Sequence, residues 1–294
     1  MSTALVTDST AYLPADLLEG VDVRVVPLHV VVGGTEHDEG VDIDPGEVEA
    51  ALRRFTPVST SRPAPAAFLE AYRAAAAAGA DSVVSVHISG EMSSTIGGAR
   101  IAAEESPVPV TVVDSRAMGM VMGHAVLTGA RLAAGGASAQ EVADAVRATC
   151  AASTVVFYVD TLEYLRRGGR IGKAGALVGS ALSIKPILGL RDGHIVPLER
   201  VRTSSRAIAR LEELAVDAVV AVPARFPGAS GVDVAVHHLD SPERAERLAE
   251  RLGSKVGPDV PVRVVELGAV VGAHVGPGTL AVAVVPRVAP VVVR

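Results

Sequence analysis

Apolar runs of strand length alternate with helical text through the first half of the chain, and this order limits the fold more than any other feature. TALVTDS at 3–9, DSVVSVHIS at 81–89 and VPVTVVDS at 108–115 are near-continuous hydrophobic runs, each closed by a short polar group. Between and after them come PAAFLEAYRAAAAAGA at 65–80, SSTIGGARIAAEE at 93–105 and an alanine-rich segment around 118–135, whose spacing and propensity predict helices. Repeated βα order with runs of this kind implies a mostly parallel sheet with helices on its faces, and ligands in such folds sit beyond the carboxyl ends of the strands. VTDST at 6–10, VHISGEMSST at 86–95 and VVDSR at 112–116 should therefore line one crevice. VDVRVVPLHVVVGG at 21–34 is strand-like, and VSTSRP at 58–63 is a hydroxyl cluster closed by a proline that holds its predecessor extended.

The pattern changes near residue 150. VVFYVDTLEYLRRGGR at 155–170 predicts a strand, then a helix with a glycine stop; AGALVGSALS at 174–183 predicts a small-residue helix. PILGLRDGHIVPLERV at 186–201 predicts two strands about an Asp192-Gly193 turn, and a helix follows. GVDVAVHHLDSPERAERLAERLG at 231–253 predicts a strand, an Asp-Ser-Pro cap and an amphipathic helix, and valine-rich strands end the chain. The expected architecture is an α/β N-terminal unit, 1–152, with a mostly parallel sheet flanked by helices. A C-terminal α+β unit, 153–294, should carry a mainly antiparallel sheet.

With 294 residues, of which 49% are hydrophobic, a sizeable core is available and disorder is excluded. A formal charge of −6 disfavours nucleic acid and anionic membranes as partners, so any cationic patch is local. One cysteine, Cys150, excludes an intrachain disulfide framework, and the text MSTALVTDST lacks a signal-peptide pattern, so cytoplasmic residence is expected. Leu267 to Val285 runs 19 residues without a formal charge, but four glycines and Pro277 interrupt it. It fits two short strands and a turn better than a stable membrane insertion.

The chain has neither GxxxxGK[ST] nor a strand-linked GxGxxG, so no cofactor or nucleotide cradle of its own is expected. No metal site is expected either. HExxH and CxxC are missing, and the adjacent pair His237-His238 lies on a strand, where neighbouring side chains point to opposite faces. Ser93 and His274 could meet as nucleophile and base, with Asp8 or Asp114 as the orienting acid. Taken singly, Ser93 or Ser94 is a helix cap, Thr60 and Ser61 are turn residues, and His274 is a buried imidazole with backbone partners. Arg166, Arg167 and Arg170 fall at a helix end, where the macrodipole favours cations. Arg200, Arg202 and Arg206 fall on a strand and the cap of the next helix, where the first two share a face and could form a basic rim.

Several stretches together resemble the DegV family, the fatty-acid-binding subunit of the bacterial fatty acid kinase system. They are VTDSTAYLP at 6–14, VPLHVVVGGTEHDEGVD at 26–42, TSRP at 60–63, SGEMSSTIGGA at 89–99 and VVDSRAMGMVMG at 112–123. YLRRGGRIGKAGALVGSALSIKPIL at 164–188, RVRTSSRA at 200–207 and GAHVGPGTLAV at 272–282 continue the match in order. The resemblance implies a lipid carrier, not an enzyme, holding a long-chain fatty acid in a buried tunnel at and beside the interface of its two units. It implies presentation of the carboxylate to an ATP-dependent kinase subunit for acyl phosphate formation, in the service of phospholipid metabolism.

By the same resemblance Thr60, Ser93 and His274 hydrogen-bond the carboxylate, and Arg170 and Arg202 serve the phosphorylated head group or kinase docking. The chain departs from the family motifs at Arg62, where glutamine is usual, and at Ile96 and Gly97, which replace the usual tyrosine and glutamine. Burying about fourteen methylenes at roughly 0.8 kcal/mol each gives on the order of 11 kcal/mol before the costs of binding, so two hydroxyls and an imidazole need only orient the head group. Two other readings fit the residues: a Ser/His hydrolase or acyltransferase using Ser93 and His274, and a phosphate-binding regulatory module without lipid.

Overall fold

The computed structural model describes residues 2–177 and 184–288. In its first half β1 (Thr3–Asp8), β2 (Val23–Val26), β6 (Ser82–His87) and β7 (Val110–Asp114) form a four-stranded parallel sheet in the order β2-β1-β6-β7. β1 is buried at all six positions, which is why its text is continuously apolar. On one face α4 (Met120–Ala134) and α5 (Ala139–Ala152) cover Leu5, Val84, Val86 and Val113; on the other α2 (Pro65–Ala77) and α3 (Thr95–Glu104) cover Val6, Val26 and Val83. Ser138 and Glu141 close a capping box at the start of α5, satisfying two N–H groups that the helix cannot satisfy itself.

A small antiparallel sheet, absent from the expectation, interrupts this half. Its strands are β3 (His29–Val32), β4 (Thr35–Asp38) and β5 (Val58–Ser61), in the order β4-β3-β5, with α1 (Pro45–Arg53) between the last two. The VSTSRP cluster thus lies largely on a strand, and Thr60 pairs with Val30 in register.

The second half builds a six-stranded sheet in the order β10-β9-β8-β13-β11-β12. Its strands are β8 (Thr154–Tyr158), β9 (Lys185–Arg191), β10 (His194–Val201), β11 (Ala229–His238), β12 (Val262–Glu266) and β13 (Leu280–Val288). All pairs are antiparallel except β11 with β12. The β9–β10 hairpin turns at Asp192 and Gly193, both with positive φ (52° and 81°), the geometry the Asp-Gly signal calls for. α6 (Glu163–Arg167) ends at Gly168, and α7 (Ser204–Arg225) and α8 (Pro242–Val256) cover the sheet. The expected helix at 174–183 falls mostly outside the described residues; a 3-10 turn occupies Gly172–Leu177.

One expectation fails where it matters most. Ala269–Val275 is a short helix, α9, so the uncharged run from Leu267 to Val285 is helix then the strand β13, and not two strands. Gly268 is extended at its N-cap, and Gly276, with φ of 76°, releases the chain at its end. Ala269, Val270 and Ala273 of α9 complete a core with Leu28, Val30, Ile43 and Val48, whereas Val271 and Val275 face a second core containing Phe157, Leu165 and Ile195. A helix buried on both sides is apolar all round, and the valine content that suggests strand is what that burial requires. Among the described residues no helix is long and apolar enough to cross a membrane.

Candidate functional site

α9 delivers His274 into a cavity of about 220 Å³ where the parallel sheet, the three-stranded sheet and the six-stranded sheet meet. Thr60 and Arg62 come from β5 and its exit, Ser93 and Met92 from the turn before α3, and Arg170 from the segment after α6. Four of the five site residues expected from sequence therefore share one cavity. Arg202 does not; it lies exposed just past the end of β10 rather than on the strand with Arg200. Its neighbour Thr203 caps α7 by accepting from Arg206 N.

His274 Nε2 is 2.8 Å from Thr60 Oγ1, whereas His274 Nδ1 is buried without a hydrogen-bond partner. Orphaned buried N–H groups are rarer than under-satisfied acceptors, so the favoured tautomer carries its proton on Nε2 and donates it to Thr60. The Thr60 hydroxyl proton is then free for another acceptor. Burial, and secondarily the Arg170 cation, push the imidazole down to about 4, so it is neutral near pH 7.

Nδ1 is kept bare by Gly168. A Cβ built there would lie 2.8 Å from His274 Cε1 and 3.2 Å from Cγ, and nearer still to Nδ1. The helix stop that the sequence marks thus also makes room for the imidazole, a role that no local signal carries. Ser93 Oγ accepts from Thr95 N at 3.3 Å and lies 2.8 Å from Thr95 Oγ1, while Ser94 occupies the N-cap position without a side-chain capping bond. Ser93 is thus both a cap and a wall of the cavity.

The hydrolase geometry is not assembled. His274 bonds Thr60 and not Ser93, and neither proposed orienting acid reaches Nδ1. Asp8 accepts from Thr10 N, Ile88 N and His87, and Asp114 accepts from Gly90 N and Arg116 N. A chain of triad type does exist elsewhere: Asp8 Oδ2 to His87 Nδ1 at 3.1 Å, and His87 Nε2 to Ser85 Oγ at 2.7 Å. All three are sealed in the parallel sheet, and Tyr72 donates to Ser85 at 2.9 Å, so the chain ties β1, β6 and α2 together.

The strand ends expected in one crevice divide instead. Ile88 and Met92–Ser94 line the central cavity, Asp8, Ser9, Ala11 and Tyr12 border a groove beside Glu39, and Asp114–Arg116 line a third, separate groove. Glu39 is a residue sequence patterning did not single out. Its carboxyl accepts from Val270 N at 2.8 Å, from Ser9 Oγ and from Tyr12 OH, and so anchors the start of α9. Burial pushes it up to about 7.

Inward from His274 the cavity meets a second, about 50 Å³ in volume, with Met118, Ile195, Val271 and Val275 as walls of both. Phe157, Leu190, Leu267, Ala281 and Ala283 close its far end. His237, the one titratable side chain there among the described residues, has both nitrogens engaged: Nε2 accepts from Met120 N and Nδ1 donates to Val265 O, each at 3.1 Å. Its burial pushes it down to about 4, so this inner space carries no charge near neutral pH. Among the described residues no group of three or more His, Cys, Asp or Glu side chains is placed to hold a metal.

The architecture is that of an α/β protein with a parallel four-stranded sheet and a mixed, mainly antiparallel sheet, its polar-mouthed pocket lying where they meet. The chain belongs to the DegV family: the model described as "Uncharacterised protein, DegV family" matches residues 2–287. A DegV domain-containing protein of Streptomyces coelicolor is 49% identical over 284 residues, covering 97% of this chain and 98% of its own. Among solved structures, a DegV family protein from Thermus thermophilus described as fatty acid binding is 35% identical, with a TM-score of 0.86 over 97% of this chain and all of its own. DegV from Bacillus subtilis, described as a fatty acid binding protein, is 30% identical with the same TM-score, over 97% of this chain and 99% of its own.

Proposed function

We propose that this protein binds a long-chain fatty acid as a carrier, with the acyl chain in the inner apolar space and the carboxylate at Thr60, Ser93 and His274. The observation that carries the reading is the division of the pocket: a mouth of hydroxyls, a neutral imidazole and guanidinium groups leads to an inner end lined almost wholly by apolar side chains. Apolar walls supply affinity and a few polar groups fix orientation, as in most lipid pockets. Similarity to proteins described as fatty acid binding supports the same assignment.

The head-group chemistry follows from the tautomer. Neutral His274 donates to Thr60 Oγ1, and the Thr60 hydroxyl donates onward to a carboxylate oxygen; Ser93 offers a second hydroxyl. Neither step moves a proton between heavy atoms, which suits a carrier. Each cavity falls below the roughly 300 Å³ at which pockets for drug-sized ligands begin, so a long chain requires wall side chains to move. Met92 and Met118, unbranched and half-buried, stand where that movement is needed.

In this reading the chain divides into units 1–152 and 153–294 with the ligand at their junction. A separate ATP-dependent kinase phosphorylates the presented carboxylate, and Arg170 at the mouth and exposed Arg202 meet the phosphoryl group or that partner. The test is calorimetric titration of delipidated protein with hexadecanoate. Thr60→Val, which keeps volume and removes the hydroxyl, should weaken binding by about 10–150-fold, the worth of one hydrogen bond to a charged group at about 1.5–3 kcal/mol. Ser93→Ala should act in the same direction. Unchanged affinity in both variants would overturn the head-group assignment.

A further inference from the structure

The mouth of the cavity carries two arginines with an arrangement that a carboxylate alone does not call for. Arg170 Nε donates to Met92 O at 3.0 Å, and Arg62 Nη1 donates weakly to Ser94 O at 3.5 Å. The two guanidinium groups are therefore tethered to main-chain carbonyls on either side of Ser93, itself a wall of the cavity. Arg170 adds one bond to Gly168 O at 2.6 Å, and among the described residues most donors of each fork have no partner.

Nearby acids are engaged elsewhere. Glu163 takes Arg166 and Arg167, with Nη2 and Nε respectively at 2.7 Å from Oε1, and Glu91 lies 3.5 Å from His194. Among the described residues no aspartate or glutamate lines the cavity, and neither Arg62 nor Arg170 makes an ion pair with a carboxylate. A concavity with two unpaired cations and no acid favours a dianion over a monoanion, and guanidinium forks match the oxygens of a phosphoryl group.

We infer that Arg62 and Arg170 form a guanidinium bracket about Ser93 that reads the charge of the lipid head group and retains a dianionic phosphoryl head in preference to a carboxylate. Arg62 is thereby a specificity-determining residue. The inference rests on the proposed lipid pocket and adds to it the identity of the group that selects the phosphorylated form.

The experiment is equilibrium binding of radiolabelled hexadecyl phosphate and hexadecanoate to the delipidated full chain at low salt, at pH 8 and pH 5.5. Wild type, Arg62→Gln and Arg62→Lys are compared, with circular dichroism as the check on folding. Arg62→Gln should lower the ratio of phosphate to carboxylate affinity about fivefold at pH 8, the size of one exposed charge contact, and Arg62→Lys should recover part of it. At pH 5.5, below the second phosphate pKa of about 6, the ratio in wild type should fall toward that of Arg62→Gln. An unchanged ratio in Arg62→Gln, or a ratio insensitive to pH in wild type, overturns the bracket while leaving the lipid pocket in place. Failure of wild type to bind either probe overturns the pocket itself.

Discussion

Gly168→Ala should disable the head-group site by steric contact alone. Gly168 has φ of −72° and ψ of −8°, a helical conformation that alanine adopts freely, so no backbone strain enters. The added Cβ would sit 2.8 Å from His274 Cε1, against about 3.5–4.0 Å for a comfortable contact, so the imidazole must retreat by roughly 1 Å. Because Gly168 faces Nδ1 and Thr60 faces Nε2, the push drives the ring against Thr60, and the imidazole escapes only by swinging out of line with Thr60 Oγ1, which breaks the 2.8 Å hydrogen bond. Overpacking at about 1–3 kcal/mol and a lost hydrogen bond at about 1 kcal/mol give a destabilisation of about 2–4 kcal/mol. Urea unfolding would measure it, and hexadecanoate titration would record weakened binding. The decisive comparison is the double-mutant cycle with His274→Ala, where the space is vacated and the cost of Gly168→Ala should nearly vanish. Additive costs in the cycle, or full ligand affinity in Gly168→Ala, would refute the reasoning.

Further tests follow from titration and from the tunnel walls. Glu39 has its pKa raised from 4.5 to about 7 by burial, so its contribution to stability is full below pH 4.5 and is lost as pH rises through 7. That amounts to about 3 kcal/mol, and Glu39→Gln, which keeps the acceptor for Val270 N, should flatten this part of the stability profile measured by urea unfolding. His274 has the opposite sign: its pKa is lowered from 6.5 to about 4, so stability present above pH 6.5 is lost as pH falls through 4, and His274→Ala should blunt the acid limb of the same profile. Met118→Phe places a stiff ring at the junction of the two cavities and should shift the acids retained by the protein toward shorter chains, read by mass spectrometry of the extract.

Much of the architecture was legible because its signals are local. The βα alternation, the Asp192-Gly193 hairpin and the Asp-Ser-Pro start of α8 each reside in a few contiguous residues and appear where expected. The site was partly legible: Thr60 and His274, 214 positions apart, do meet, but only the family resemblance linked them. What escaped depends on tertiary context. α9 is valine-rich because two cores claim its opposite sides, so its composition mimics strand. Glu39 matters through Val270, 231 positions away, and Gly168 through the imidazole it admits; no period or spacing encodes either. The orienting acids proposed for His274 were misplaced because a strand-end aspartate looks the same in sequence whether it faces a cavity or, like Asp8, holds two strands together.

The central claim is that the polar mouth and the apolar interior hold one lipid. Organic extraction of the protein purified from its expression host, followed by quantitative mass spectrometry, tests it most directly. The account predicts close to one long-chain fatty acid per chain, reduced in Thr60→Val and His274→Ala at equal folded content. A protein free of fatty acid that also fails to take up hexadecanoate, or one that hydrolyses acyl esters through Ser93, would contradict it.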